Sequence, residues 1–75
     1  MKLYFKKEHY HKGTVEEFYT AKGIYNNINF NITYDSQKDS VMVHEWYKFN
    51  NNQLSDIQEQ VKLHFKNKAN SRRVV

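Results

Sequence analysis

Histidines and carboxylates are the residue types in this chain that could support catalysis or metal binding. His9 and His11 are two positions apart, so on a strand both imidazoles would point the same way, as ligands of zinc or nickel can. His44 and His64 could supply further ligands, but no spacing fixes that geometry. We therefore expect surface histidines at a charged strand edge and predict neither a metal site nor a cofactor.

The carboxylates are expected to have local structural roles. Asp35 and Asp39 bracket a polar turn, where aspartate is common, and Glu45 falls among apolar residues, where an ion pair with a lysine is the simplest explanation. The sequence has no glycine-rich phosphate loop, nucleophile elbow or metal motif. A chain of 75 residues with two glycines also leaves little room for a deep pocket. We predict no catalytic residues and a binding protein rather than an enzyme.

Length and composition limit the possible classes of protein. A chain of 75 residues forms one small domain that buries a modest share of its surface, so self-association into a homodimer is expected. The absence of cysteine fits a reducing compartment, and we expect a cytoplasmic protein. No apolar run approaches the about 20 residues of a membrane helix, so no membrane association is predicted.

The net charge of +4 favours an anionic partner and is concentrated towards the two ends of the sequence. We expect a single domain over residues 1–69 followed by a flexible basic tail over 70–75. Solvated surface is one explanation of the basic residues. The alternative is a small nucleic-acid-binding protein, whose contacts would come from Lys62, Lys66, Arg72 and Arg73.

Hydrophobic periodicity predicts an α+β fold. Residues 2–7 alternate like a short strand, residues 24–49 resemble a β-hairpin, and residues 50–68 carry the apolar stripe of a helix. Residues 14–22 are ambiguous: the capping box Thr14-x-x-Glu17 favours a short helix, whereas the many β-formers favour a strand. The element order is β-α-β-β-α, or β-β-β-β-α if the first helix is absent. Either gives a small antiparallel sheet of three to four strands with the C-terminal helix packed on one face.

The expected core lies between the hairpin and the C-terminal helix. Asn52 or Ser55 is the predicted cap of that helix. Its buried stripe should pack on the apolar side of the hairpin, and the predicted core comprises Leu54, Ile57, Val61 and Phe65 from the helix with Ile28, Phe30, Ile32, Val41 and Val43 from the hairpin.

The opposite face of the predicted hairpin is the candidate binding surface. The first arm, 24–35, is apolar on one side only, whereas the return arm, 40–49, has large apolar residues on both sides. Trp46 could pack beneath the N-terminal strand or first helix, contact a protein partner, or stack on single-stranded nucleic acid. We assign partner binding to Met42, His44, Trp46, Lys48, Asn29 and Asn31.

The pentapeptide QLSDI at 53–57 begins like the glutamine-leucine peptides that bacterial replication proteins dock on the sliding clamp. Asp56 stands where that motif usually has a second leucine, and Ile57 replaces phenylalanine. The short chain, rich in residues with AT-rich codons, also resembles small phage proteins that seize host replication or transcription factors. The resemblance implies a non-enzymatic protein that binds and modulates a host protein in the host cytoplasm.

Overall fold

The computed structural model describes residues 1–73, with side chains described for residues 1–70. Four antiparallel strands form one sheet in the order β1-β2-β3-β4, and a long helix packs on one face of it. This confirms the predicted α+β class. The elements are β1 (Leu3–Lys12), β2 (Glu17–Tyr25), β3 (Ile28–Asp35), β4 (Ser40–Val43), a one-turn 3₁₀-helix (Trp46–Lys48) and α1 (Asn51–Arg73).

Of the two alternatives for residues 14–22, the strand is the correct one: the segment contributes to β2 and the element order is β-β-β-β-α. β2 pairs with β1 on one side and β3 on the other, and it buries Tyr19, Ala21 and Tyr25 on the face towards α1. The Gly13 amide donates to the Glu16 carbonyl at 2.8 Å, which closes a turn before the strand. Pairing on both edges and aromatic burial outweigh the local capping signal, as tertiary context often does.

A two-residue turn separates β2 from β3. Tyr25 pairs with Ile28, and Asn26 and Asn27 between them have φ angles of 51° and 63°. Asparagine tolerates this left-handed region better than most residues, and two positive φ angles characterise the type I′ hairpin turn. The predicted first arm therefore began four residues early, and its residues 24 and 25 complete β2.

A β-bulge in β1 changes which residues face the helix. Lys6 pairs with Lys22 but His9 pairs with Thr20, so β1 holds one extra residue there, and Lys7 has a φ of 53°. A bulge of this kind reverses the alternation of the strand after it. The residues directed towards α1 are Leu3 and Phe5 before the bulge, and Glu8 and Tyr10 after it. His9 and His11 consequently lie on the opposite face of the sheet.

The core between the sheet and α1 contains the predicted stripe. Ile57, Val61 and Phe65 are completely buried, and the other predicted core residues are buried or half-buried against them. Aromatics that the pattern did not assign complete the core: Tyr19 and Tyr34 pack against Phe65, and Tyr25 packs against Phe49. The additional buried side chains are Leu3, Tyr19, Ala21, Tyr25, Tyr34, Phe49 and Ala69.

The helix α1, predicted over residues 50–68, extends over Asn51–Arg73 and has a different cap from those predicted. Asn50 is its cap: the Asn50 Oδ1 accepts from the Gln53 amide at 2.8 Å, and the Gln53 Oε1 accepts from the Asn50 amide at 3.0 Å. The predicted caps at Asn52 and Ser55 are therefore wrong. The helix continues to Arg73, into the range predicted as a tail, whose last two residues lie outside the described residues. Within residues 1–73, no helix has the length and apolar character needed to cross a membrane.

Candidate functional site

The face of the sheet away from α1 is called the open face here. Strand alternation assigns to it Tyr4, Lys6, His9 and His11 of β1; Phe18, Thr20, Lys22 and Ile24 of β2; Asn29, Asn31, Thr33 and Asp35 of β3; and Ser40 and Met42 of β4. The pairing places Lys6, Lys22 and Asn31 in one row across three strands. Most of these side chains are exposed, and the remainder, including Phe18 and Ile24, are half-buried. The open face therefore combines amides, cations and aromatic rings.

The return arm leaves the sheet earlier than predicted, because β4 ends at Val43. Residues 44–49, called the connector here, still follow the edge of β3. The His44 amide donates to the Asn31 carbonyl at 3.0 Å. The Glu45 carboxylate accepts from the Asn31 amide at 2.8 Å and from its Nδ2 at 2.7 Å. The hydrogen bond from that backbone amide, which outweighs partial desolvation, lowers the pKa of Glu45.

The connector is fixed at its far end as well. Lys48 Nζ donates to the Asn29 carbonyl at 3.2 Å, and the Phe49 ring is buried with its centroid 4.9 Å from that of Phe30. Side chains thus cover the edge of β3 where a longer β4 would have paired with it. The predicted extension of the return-arm strand to residue 49 is wrong for this reason.

Trp46 and Tyr47 are displayed by this arrangement. Trp46 is 62% exposed and Tyr47 is 68% exposed, with ring centroids 6.0 Å apart in an edge-to-face geometry. Trp46 therefore does not pack beneath the N-terminal strand, which was one of the alternatives from the sequence. Tyr47 is four residues after the buried Val43, and on a continued strand it would share the face of Val43, but it is exposed beside Trp46. Trp46 and Tyr47 are called the connector aromatics here. Met42, which is 58% exposed, is considered together with them.

A groove of about 650 Å³ lies on the open face beside Met42. Its apolar lining includes Val15, Phe18, Val41 and Met42, and its polar lining comes mainly from the β1–β2 loop and the β3–β4 turn. Val15 is largely exposed at its rim. The groove extends the apolar surface from Met42 across to β2.

His11 of the open face and His44 of the connector both have hydrogen-bond partners on the sheet. His11 Nε2 lies 3.0 Å from Thr20 Oγ1 and its ring stacks on Phe18, with centroids 4.7 Å apart. His44 Nε2 lies 2.8 Å from Thr33 Oγ1. His9 and His11 share a face as predicted, with ring centroids 6.3 Å apart. Among the residues whose side chains are described, no three potential metal ligands cluster.

Three carboxylates, those of Asp39, Asp56 and Glu8, accept hydrogen bonds on the helix side of the sheet. Asp39 accepts from the Tyr34 hydroxyl at 2.6 Å, and Asp56 accepts from the Tyr25 hydroxyl at 2.5 Å. Each hydrogen bond lowers the pKa of its carboxyl group. Glu8 accepts from His64 Nε2 at 2.7 Å and from Lys68 Nζ at 2.6 Å. These contacts join the sheet to its turns and to α1, which is a structural role.

Two of the basic residues chosen for the nucleic-acid alternative, Lys62 and Lys66, lie close to a carboxylate. Lys66 Nζ lies 3.8 Å from Asp39 Oδ2, and Lys62 is half-buried with its charge also acting on Asp39. The side chains of Arg72 and Arg73 lie outside the described residues. The nearby carboxylate reduces the positive potential that Lys62 and Lys66 could offer a phosphate.

The clamp-like pentapeptide at 53–57 forms the first turns of α1. Gln53 belongs to the cap with Asn50, Leu54 packs against the core and Ile57 is completely buried. A peptide that docks in a clamp pocket must expose these apolar side chains. This segment is therefore unavailable as a docking peptide while α1 is folded.

The predicted binding residues are divided between two elements. Asn29, Asn31 and Met42 lie on the open face, whereas His44, Trp46 and Lys48 belong to the connector, with His44 and Lys48 bonded back to β3. The sequence did not single out Tyr47 or the row of Lys6 and Lys22. Assigning residues 17–25 as a strand would have placed Lys22 on this face, but its pairing with Lys6 also depends on the register shift in β1.

Comparison with known proteins gives no relative from which a function could be transferred. No protein-family model matches the chain, and neither curated proteins nor solved structures yield a similar one.

Proposed function

We propose that this chain is a non-catalytic binding protein that binds and modulates a protein partner through the connector aromatics and Met42. The observation that carries the proposal is the exposure of Trp46 and Tyr47, at 62% and 68%, on adjacent positions of one short turn. Tryptophan, tyrosine and methionine are enriched at protein interfaces, and tryptophan and tyrosine are common hot-spot residues. Leaving such large side chains in water has no benefit for the stability of the monomer.

The rigidity of the connector supports this proposal. Glu45 binds Asn31 through both carboxylate oxygens, Lys48 binds the Asn29 carbonyl, and Phe49 anchors the end of the connector in the core. The backbone that carries the two exposed rings is therefore tied to β3 before and after them. A surface held in its bound shape loses little conformational entropy on association, which increases affinity.

The nature of the partner follows from chemistry and from resemblance. The exposed rings and Met42 suit an apolar pocket or groove on another protein, with Lys48 and the asparagines of β3 at its polar rim. The resemblance in size and composition to phage proteins makes a host protein the proposed partner. A second copy of this chain is the competing occupant, because a two-fold dimer could cover the same rings.

The test uses affinity capture from a bacterial lysate with nuclease present. Trp46→Ala and Tyr47→Ala should each lose a specific captured protein that the wild-type chain retains. Leu63→Ala is the matched control, because Leu63 is 65% exposed on α1, away from the connector. This variant should capture the same protein as the wild-type chain. Capture should change little with salt, unlike binding to a polyanion.

Oligomeric state is measured in parallel by light scattering. A dimer that dissociates on Trp46→Ala, without capture of any other protein, would assign the surface to self-association and contradict the proposal. Retention of the same captured protein by Trp46→Ala would contradict it as well.

A further inference from the structure

We propose that the open face, at the row of Lys6 and Lys22, binds the phosphodiester backbone of single-stranded nucleic acid. Lys6 of β1 and Lys22 of β2 are directly paired across the strands, and both are exposed. This site is on the sheet, separate from the connector and from the α1 lysines considered above. The inference rests on Lys6, Lys22 and Tyr4, none of which belongs to the proposed protein interface, and the two surfaces meet only at Asn29.

The cross-strand lysine pair is unfavourable by itself. Like charges directly opposite on neighbouring strands repel one another, and cross-strand neighbours lie only about 5 Å apart at Cβ. Within the described part of the chain, neither Lys6 nor Lys22 has an ion-pair partner. An anionic ligand between the two ammonium groups would turn this repulsion into attraction.

Carboxylates elsewhere do not neutralise this row. Glu8, Asp39 and Asp56 are held at the helix side or at the turns by Lys68, Lys66 and the N-terminal amine. Two further carboxylates, Asp35 on the open face and Glu45 at its edge, accept hydrogen bonds from nearby amides. Asp35 Oδ1 accepts from the amides of its own turn, and both oxygens of Glu45 accept from Asn31. Asp35 and Glu45 keep their negative charge, but in the described part of the chain neither forms an ion pair with Lys6 or Lys22.

The neighbours of the lysine row suit nucleobases. Tyr4, in the next row opposite Ile24, is 58% exposed, and Lys2 Nζ lies 5.5 Å from the centroid of its ring. A tyrosine ring on a sheet can stack on an unpaired base, and Asn29 beyond Ile24 offers an exposed amide for hydrogen bonds to base edges. A single strand could therefore place phosphates at Lys6 and Lys22 and a base on Tyr4, which lies two residues from Lys6 on β1.

A single strand fits this surface better than a duplex. The open face is a sheet surface, and the bases of a duplex are stacked inside the helix, where Tyr4 could not reach their faces. Cations beside aromatic rings form the usual combination in proteins that bind single strands with little sequence preference. An acidic peptide would satisfy the lysines but would leave Tyr4 without a stacking partner.

The test is fluorescence anisotropy of the full chain with a labelled oligothymidylate over a series of salt concentrations. The double variant Lys6→Gln/Lys22→Gln should weaken binding about tenfold and reduce the slope of log K against log salt by about 0.7 per lost phosphate contact. The charge-matched control is Lys12→Gln/Lys38→Gln, which removes two exposed lysines outside the row and should bind more nearly as wild type does. Tyr4→Ala should weaken binding without changing the slope.

Thermal melting excludes loss of fold as the cause. Since Lys6→Gln/Lys22→Gln removes a repulsion, it should melt at or above the wild-type temperature. Equal binding by the row variant and the control variant would overturn the proposal. It would also be overturned if polyglutamate bound with equal affinity through the same lysines, since that result would assign the row to an acidic protein.

Discussion

Tyr34 and Asp39 are joined across the β3–β4 turn by a hydrogen bond of 2.6 Å from the phenol to Oδ1. Asp39 has a φ of 51°, in the left-handed region that few residues occupy, and its Oδ2 lies 3.8 Å from Lys66 Nζ. Burial and the bonded carboxylate raise the pKa of the Tyr34 hydroxyl, while that hydroxyl lowers the pKa of Asp39. The bond therefore ties a strained turn to the core.

Tyr19 provides a matched control for this bond. Tyr34 and Tyr19 are each 2% exposed, but the Tyr19 hydroxyl has no hydrogen-bond partner among the described residues. We expect Tyr34→Phe to lower the free energy of unfolding by about 1 kcal/mol, and Tyr19→Phe to leave it unchanged or raise it. Urea denaturation of the two variants checks this. Equal losses in both would show that the Tyr34 bond is not specifically stabilising.

Gly23 is required by the close packing of β2 against the core. A Cβ at this position would stand 2.7 Å from Ile32 Cδ1 and 2.7 Å from Phe30 Cζ. We expect Gly23→Ala to destabilise the fold by about 1–3 kcal/mol, because overpacking forces buried side chains off their preferred rotamers. At Gly13 the nearest atom to a new Cβ is the Glu16 carbonyl oxygen at 3.8 Å, so Gly13→Ala is the control. Equal changes in melting temperature for Gly23→Ala and Gly13→Ala would contradict the close packing at Gly23.

Periodicity was sufficient where an element is long and packs on one face. The stripe of Ile57, Val61 and Phe65 on α1 and the alternation of β3 predicted the core correctly, because each pattern extends over several turns or residue pairs. The sequence left residues 14–22 undecided, because Thr14 and Glu17 form a plausible local cap, while the evidence for a strand lies in the pairing of β2 with β1 and β3. A sequence pattern does not contain that long-range information.

The geometry of the candidate surface could be predicted only in part, for similar reasons. Trp46 was identified because a large aromatic stood on a side with polar neighbours. Its position on the connector depends on Glu45, whose carboxylate binds Asn31 where a strand would otherwise pair. Hydrophobic periodicity does not predict a side chain in that role. The row of Lys6 and Lys22 needs the exact register of β1 on β2, which follows from the bulge at Lys7.

The turn at Asn26 and Asn27 gives a test of the hairpin register. Asn27 has a φ of 63°, whereas Asn29 is an exposed strand residue whose side chain is on the open face. We expect Asn27→Val to destabilise the fold by about 1–2 kcal/mol, because a β-branched residue is strained in the left-handed region. Asn29→Val should be neutral or stabilising, since valine favours strands. Chemical denaturation of the pair measures the difference, and a neutral Asn27→Val would place the turn elsewhere.

Glu8 links β1 to α1 through hydrogen bonds to one carboxylate oxygen. Its Oε1 lies 2.7 Å from His64 Nε2 and 2.6 Å from Lys68 Nζ. Partial burial alone would raise the pKa of Glu8, but the hydrogen bonds and charges of Lys68 and His64 outweigh it and lower the pKa below the ordinary value of 4.5. The carboxylate therefore stabilises the fold in its ionised form.

The stabilisation from Glu8 should disappear in acid. A carboxyl whose pKa is lower in the folded state contributes fully above its unfolded pKa, near 4.5, and loses that contribution as the pH falls through the folded pKa. We expect Glu8→Gln to lower the free energy of unfolding by about 1 kcal/mol at neutral pH, and the difference from wild type to shrink below pH 4.5. Glu59→Gln is the control, because Glu59 is exposed and has no hydrogen bond in the described part of the chain. A difference between Glu8→Gln and wild type that stayed constant from neutral to acidic pH would show that Glu8 acts through packing rather than through its charge.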